Sequence, residues 1–295
     1  MADSHYWEVR VPASADTVDG LGNFLWEEGA LGVVEESLPD ASPILRAFFP
    51  FAIVPARLEA RLLTYLGALR ELGFSAAGEP SVTPLADENW ALAWREHFRP
   101  LRVGSRLLVA PSWDVPASDG AITIVLDPGR AFGTGHHGTT RGCLLALDAL
   151  LKQRRPRRIL DVGTGTGVLA IAAARGLRHP VLASDIDREA VAIARENARL
   201  NGVAPFVECL CARGLTAHRL RERAPFDLVL ANILLAPLTR LAGPMRRLLA
   251  ARANVVLSGL LASQENAALA AYRPHGLKLV RRIPLGEWVT LVLSA

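Results

Sequence analysis

Three stretches hold residues whose types and spacing could do chemistry. In the first, ILDVGTGTGV over residues 159–168, an apolar run meets glycines at 163, 165 and 167 before helix-forming residues resume. Glycine lets the backbone turn tightly and lets a ligand approach the main chain. Asp185 stands 22 residues beyond Gly163, at the end of the next predicted strand. A carboxylate placed there accepts both hydroxyls of an adenosine ribose. Nicotinamide cofactors and S-adenosylmethionine both use this strand–loop–acid arrangement. Val168 stands where the dinucleotide fingerprint asks for glycine, which weakens a pyrophosphate cradle. Asp161 suits the positively charged amino-acid end of a ligand and would repel a pyrophosphate.

The second stretch is FDLVLAN over residues 226–232, which puts Asn232 at the carboxyl edge of the predicted sheet, where open α/β sheets bind ligands. The competing role for Asn232 is to cap a helix starting at 234. The third is LDPGRAFGTGHHGTT over residues 126–140. Its glycines, including Gly133, make a loop around Phe132, and Thr140 opens a predicted helix, where a hydroxyl or free amide can meet a carboxylate. No lysine follows these glycines, so the loop is not a P-loop. His136 and His137 are adjacent, and no nearby carboxylate or thiol completes a ligand set, so no metal site is expected.

These residues need a scaffold. Over residues 102–295 strands and helices alternate, with strands at 158–162, 181–185, 206–209, 227–231 and 254–257 and helices at 139–152, 167–175, 188–201, 234–250 and 261–272. Alternation of this kind implies a parallel, doubly wound sheet. The end differs: strands at 277–283 and 288–293, with a turn at 284–286, read as an antiparallel hairpin. Residues 1–85 read as β-α-β-β-α-β, the order of a ferredoxin-like α+β unit. Residues 86–100 read as a linker helix, with Trp90 and Trp94 on one face. The expected domains are therefore 1–85, 86–100 and 101–295.

Composition sets the outer bounds. The chain has 295 residues, 51% of them hydrophobic, and no apolar run long enough to span a membrane. Its three cysteines are odd in number and lack metal spacing, and so read as reduced thiols in a cytoplasmic protein. The net +4 conceals a split. Residues 1–85 hold twelve acids and five arginines, a net −7, and the remainder holds 17 acids and 28 bases, a net +11. An acidic front suits a basic protein partner better than a phosphate backbone.

Taken together, DPGRAFGTGHHGTTR, ILDVGTGTGVLAIAA, SDIDREAVAIARENARLNGV and ANILLAPL resemble the ribosomal protein L11 methyltransferases, the PrmA family. The resemblance covers nearly the whole chain. It implies a class I methyltransferase, a Rossmann-like doubly wound sheet with a C-terminal antiparallel hairpin, behind a small ferredoxin-like recognition domain. It implies S-adenosylmethionine as cofactor and lysine side chains and the N-terminal amine of that basic large-subunit protein as acceptors. It assigns cofactor contacts to Thr140, Gly163, Asp185 and Asn232. Asp161, Gly165, Phe132 and Gly133 complete the candidate cofactor site, and Asn232 is the candidate catalytic residue. Neither a metal nor a membrane is expected, no direct nucleic-acid partner is required, and the protein is expected to be a monomer. The other readings are a lysine methyltransferase for another protein such as electron-transfer flavoprotein, a nicotinamide-dependent oxidoreductase, and a non-catalytic ribosome-binding protein.

Overall fold

The computed structural model describes residues 5–295 apart from 15, 31, 37–42, 72, 75–77, 87–98, 118, 127–136 and 154. The expected linker helix, Phe132 and Gly133 therefore lie outside the described residues. Contacts divide the chain into two compact units, Met1–Arg99 and Pro100–Ala295.

In the first unit, β1 (His5–Pro12), α1 (Val18–Glu27), β2 (Gly32–Glu36), β3 (Ile44–Pro50), α2 (Pro55–Glu71) and β4 (Ser81–Ala86) follow in order. The sheet order is β2-β3-β1-β4, all antiparallel, as a split βαβ unit requires. Alternate strand residues Val9, Val11, Ala47 and Phe49 share one core with Leu58, Leu62 and Leu66, the buried stripe of α2. Apolar spacing in the sequence suggests a helix over residues 13–28, but α1 starts only at Val18. The reason is a polar turn: Thr17 Oγ1 accepts from the Ser14 amide at 2.9 Å, and the Ser14 carbonyl accepts from the Thr17 and Val18 amides.

The second unit begins with a small sheet of β5 (Leu101–Val103), β6 (Leu107–Ala110) and β7 (Ile122–Val125). Helix α3 (Gly138–Gln153) is tied to it by Asp148. This buried carboxylate accepts from Arg106 Nε at 2.9 Å, from the Ser105 amide and, as an ion pair, from Lys152 at 3.0 Å. Burial alone would raise its pKa. The hydrogen bonds from Arg106, Lys152 and Ser105 outweigh burial and hold it below the usual carboxylate range.

A seven-stranded sheet follows, built from β8 (Ile159–Val162), β9 (Val181–Asp185), β10 (Val207–Cys211), β11 (Phe226–Asn232), β12 (Leu249–Leu261), β13 (Lys278–Leu285) and β14 (Trp288–Ser294). Its order is β10-β9-β8-β11-β12-β14-β13. The five strands β8 to β12 are parallel, and β14 runs antiparallel between β12 and β13. Between them lie α4 (Val168–Leu177), α5 (Arg188–Leu200), α6 (His218–Arg223), α7 (Leu235–Arg246) and α8 (Glu265–Tyr272). Leu228 and Leu230 of β11 face the core shared with α3, α4 and α5, whereas Val229 and Ala231 face Leu238, Leu269 and Tyr272 of α7 and α8. Burial on both faces explains why these strands read as continuous apolar runs.

Three boundaries need correction. β12 spans thirteen residues rather than four, so the helix expected from 261 begins only at Glu265. Pro284 lies inside β13 and the turn falls at residues 286–287; β13 is an edge strand, where a missing amide donor is tolerated. Helix α6 and strand β5 carry no clear apolar period; in α6 only Leu220 is buried.

Candidate active site

Winding reverses between β8 and β11: β9 and β10 extend the sheet one way, β12 and the hairpin the other. Loops at the carboxyl ends of these two central strands diverge and leave a crevice. A cleft of about 690 Å³ lies there, lined by Gly163, Gly165, Asp185, Ile186, Asn232 and Ile233 among others. That size is usual for a small-molecule site.

The glycine loop is shaped by backbone demands. Gly163 and Gly165 have φ of 70° and 54°, the left-handed region. The amides of Gly163 and Thr164 donate to the Ser184 carbonyl at 2.8 and 3.0 Å, folding the loop onto β9. Asp185 then closes it: Oδ2 accepts from the Gly165 amide at 2.9 Å and Oδ1 from the Asp187 amide at 3.0 Å. Each carboxylate oxygen keeps a further lone pair for a donor in the cleft.

Asn232 is held by one side-chain hydrogen bond. Its Nδ2 donates to Thr140 Oγ1 at 3.2 Å, and its Oδ1 is buried with no hydrogen-bond partner among the described residues. An unanswered buried acceptor costs about 1–3 kcal/mol, which a ligand donor would recover. It does not cap α7: that position belongs to Leu234, with no side-chain cap. The next residue, Ile233, is clamped by two glycines. A Cβ on Gly163 would come within 2.3 Å of Ile233 Cγ2, and one on Gly259 within 2.5 Å of the Ile233 carbonyl oxygen. Gly259 (φ 79°) sits in a register irregularity of β12, which brings that strand against the Ile233 backbone.

Behind the cleft, Thr140 is fully buried in the first turn of α3 and reaches the site through Asn232. The same turn is anchored by Ser258 Oγ, which meets the Thr139 carbonyl at 3.0 Å and Thr290 Oγ1 at 2.8 Å. His137 Nδ1 lies 2.8 Å from Thr139 Oγ1, with its ring against Trp288. Burial pushes its pKa down to about 4, so the imidazole is neutral at physiological pH. No metal-binding group of three or more His, Cys, Asp or Glu occurs among the described residues.

Asp161 is also buried and does not line the cleft. Burial raises its pKa to about 7, helped by the nearby Asp185 charge and opposed by Thr164 and the Ala170 amide. Its Oδ2 accepts from Thr164 Oγ1 at 2.6 Å. It thus braces the loop from behind. Of the sequence candidates, Gly163, Gly165, Asp185 and Asn232 converge on the cleft, while Thr140 and Asp161 support it from beneath. Residues 212–214, beyond β10, and Pro237, Arg240 and Leu241 of α7 also line it and were missed. The rule that ligands bind beyond carboxyl strand ends could have found residues 212–214. The α7 residues depend on how that helix packs, which periodicity does not give.

The family model described as ribosomal protein L11 methyltransferase (PrmA) matches residues 5–295. A ribosomal protein L11 methyltransferase of Rhodopseudomonas palustris (strain BisB5) is 44% identical over 96% of this chain and 94% of its own length. One from Geobacter sulfurreducens is 40% identical over 98% of each chain. The crystal structure of a ribosomal protein L11 methylase from Lactobacillus delbrueckii subsp. bulgaricus aligns with a TM-score of 0.61 at 31% identity, covering 67% of this chain and 98% of that one.

Proposed function

The chain belongs to the ribosomal protein L11 methyltransferase family, and from that premise we propose that it transfers methyl groups from S-adenosylmethionine to amino groups of ribosomal protein L11. The acceptors in this reading are lysine side chains and the N-terminal amine. Bound S-adenosylmethionine supplies a methyl group already activated by its sulfonium. The residues fit such a cofactor. Gly163 and Gly165 bare the backbone at the cleft wall, and Asp185 keeps acceptors for ribose hydroxyls.

The observation that carries the catalytic reading is the buried, unanswered Oδ1 of Asn232. It accepts a hydrogen bond from the incoming amine and, with the Ile233 carbonyl, points the nitrogen lone pair at the methyl carbon. Thr140 fixes which end of the amide faces the amine, because it occupies Nδ2. The acceptor must be neutral to react. A free lysine amine is mostly protonated near pH 7, and desolvation lowers its pKa. No side chain at the cleft is assigned as a dedicated base, and the proton leaves to water. Phe132 is proposed to close over the methionine end of the cofactor, and Gly133 to contact the cofactor.

The 1–85 segment is proposed to dock the basic substrate. Some of its acids have other work: Glu36 pairs with Arg46 at 2.6 Å and with Arg10 at 3.3 Å, and Glu28 pairs with Arg61. The docking charge is therefore assigned to exposed acids such as Asp16, Glu59, Glu71 and Glu79. No helix among the described residues is long and apolar enough to cross a membrane; a cytoplasmic monomer is proposed. The test is incubation with purified ribosomal proteins and labelled S-adenosylmethionine, followed by mass spectrometry of the labelled band. Label on ribosomal protein L11 amines is expected; label confined to another protein, or none, overturns the reading.

A further inference from the structure

The catalytic unit carries a second concentration of chemistry, at the edge of its sheet opposite the cleft. Because β8 to β12 are parallel, the loops leading into them emerge together at the amino edge. Arg157 and Arg158 lead into β8, Arg178 into β9, Arg223 into β11, and Arg246 and Arg247 into β12; all six are exposed. A groove of about 590 Å³ gathers Arg157, Arg158 and Arg223, and a smaller one of about 210 Å³ has Arg155 and Arg252 in its walls.

The acids at this edge are already engaged. Glu208 is held by Arg219 and Arg223, Glu222 pairs with Arg219, and both oxygens of Asp227 accept the amides of Arg157 and Arg158. The row keeps a net positive charge. Strands β9, β8, β11 and β12 are neighbours about 4.8 Å apart, so it spans roughly 14 Å. That length of duplex axis carries about eight phosphate charges.

The chemistry of the row selects its partner. Every one of these cations is a guanidinium, whose planar fork grips phosphate oxygens in pairs. Among the described residues no exposed phenylalanine, tyrosine or tryptophan lies in the row; Phe206, in the wall of the larger groove, is only partly exposed, so the row offers no open stacking platform for a run of unpaired bases. It also lacks the large apolar face that seats a protein in lipid. The geometry points to the amino edge as a docking site for the phosphate backbone of duplex RNA. This rests on the reading of a ribosomal protein as substrate, whose surroundings are RNA. Methyl transfer itself asks for no nucleic acid; the edge holds the enzyme near RNA while the opposite edge does the chemistry.

The test is fluorescence anisotropy of a labelled 20-base-pair RNA duplex with the full chain and with a variant carrying Arg155→Gln, Arg157→Gln, Arg246→Gln and Arg247→Gln. The wild type should bind with an affinity that falls steeply with salt. The variant should bind at least about tenfold more weakly, with a log–log salt slope shallower by roughly 2 to 4. Its thermal midpoint, and its kcat and KM on purified ribosomal protein in RNA-free buffer, should match the wild type. Unchanged duplex binding in the variant overturns the proposal. So does an equal loss of binding to polyglutamate, or wild-type binding that is tighter to a single-stranded homopolymer or to anionic vesicles. If both proteins bind duplex as expected yet methylate no ribosomal protein, the proposed function fails and the RNA site stands.

Discussion

Asn232 and its two neighbours in burial, Asp161 and His137, show how single side chains divide the labour. Asn232→Ala should lower kcat roughly hundredfold, the scale of a misplaced reacting group, with a thermal midpoint close to wild type. Steady-state methylation and a melting curve check this together; near-normal turnover would return Asn232 to a structural role. Asp161 and His137 make opposite demands on pH. The unfolded chain ionises Asp161 near 3.8 and the folded chain only near 7, so the native state holds a proton the unfolded state has lost between these values. Its contribution to stability therefore falls as pH rises from about 4 to 7. Unfolded His137 takes a proton below 6.5, which the native state resists down to about 4, so its contribution falls as pH drops across that interval. Relative to wild type, Asp161→Asn should lose stability on acidification and His137→Gln should lose it as pH rises toward 7. Melting temperatures from pH 4 to 7.5 test both signs.

At the scale of elements, the two glycines about Ile233 predict different genetics. The obstruction at Gly163 is the Ile233 side chain, so loss of turnover in Gly163→Ala should be partly restored by adding Ile233→Ala. The obstruction at Gly259 is Ile233 backbone, and the same second change should restore nothing. Transfer rates of the four variants and Ile233→Ala alone decide the point. Asp148→Ala, which strands Arg106 and the Ser105 amide between the small sheet and α3, should cost about 2–3 kcal/mol in denaturant unfolding without changing KM for cofactor. The parallel strands and their helices were legible because apolar runs such as ILDV and FDLVLA are buried on both faces. The Gly163 loop and Asp185 were legible because tight turns demand glycine and because ligands gather at strand ends. The Gly259 clamp was not: its cause is contact with a backbone 26 positions away in the chain, and nothing in local spacing records that. Asp161 was read as facing a ligand because it ends the strand that leads into the glycine loop. Strand alternation turns it inward instead.

The whole molecule divides its charge. Reversing Asp16, Glu59, Glu71 and Glu79 together should raise KM for the basic substrate severalfold at low salt, with kcat little changed. The effect should fade as salt shortens the screening length below about 8 Å. Initial rates across a salt series check it; a KM equal to wild type at low salt would leave those acids to solubility alone. The net charge of +4 predicted none of this, whereas its distribution did. Placing the arginines also needed strand direction, since only parallel pairing collects segments from 155 to 252 along one edge.

The hairpin adds a consequence in time. β14, the last of the sheet's strands to be synthesised, is an interior strand: it pairs with β12 on one side and β13 on the other, and its Thr290 meets Ser258 beneath the site. A ribosome making this enzyme therefore cannot complete the catalytic sheet until Ser294 has cleared the exit tunnel.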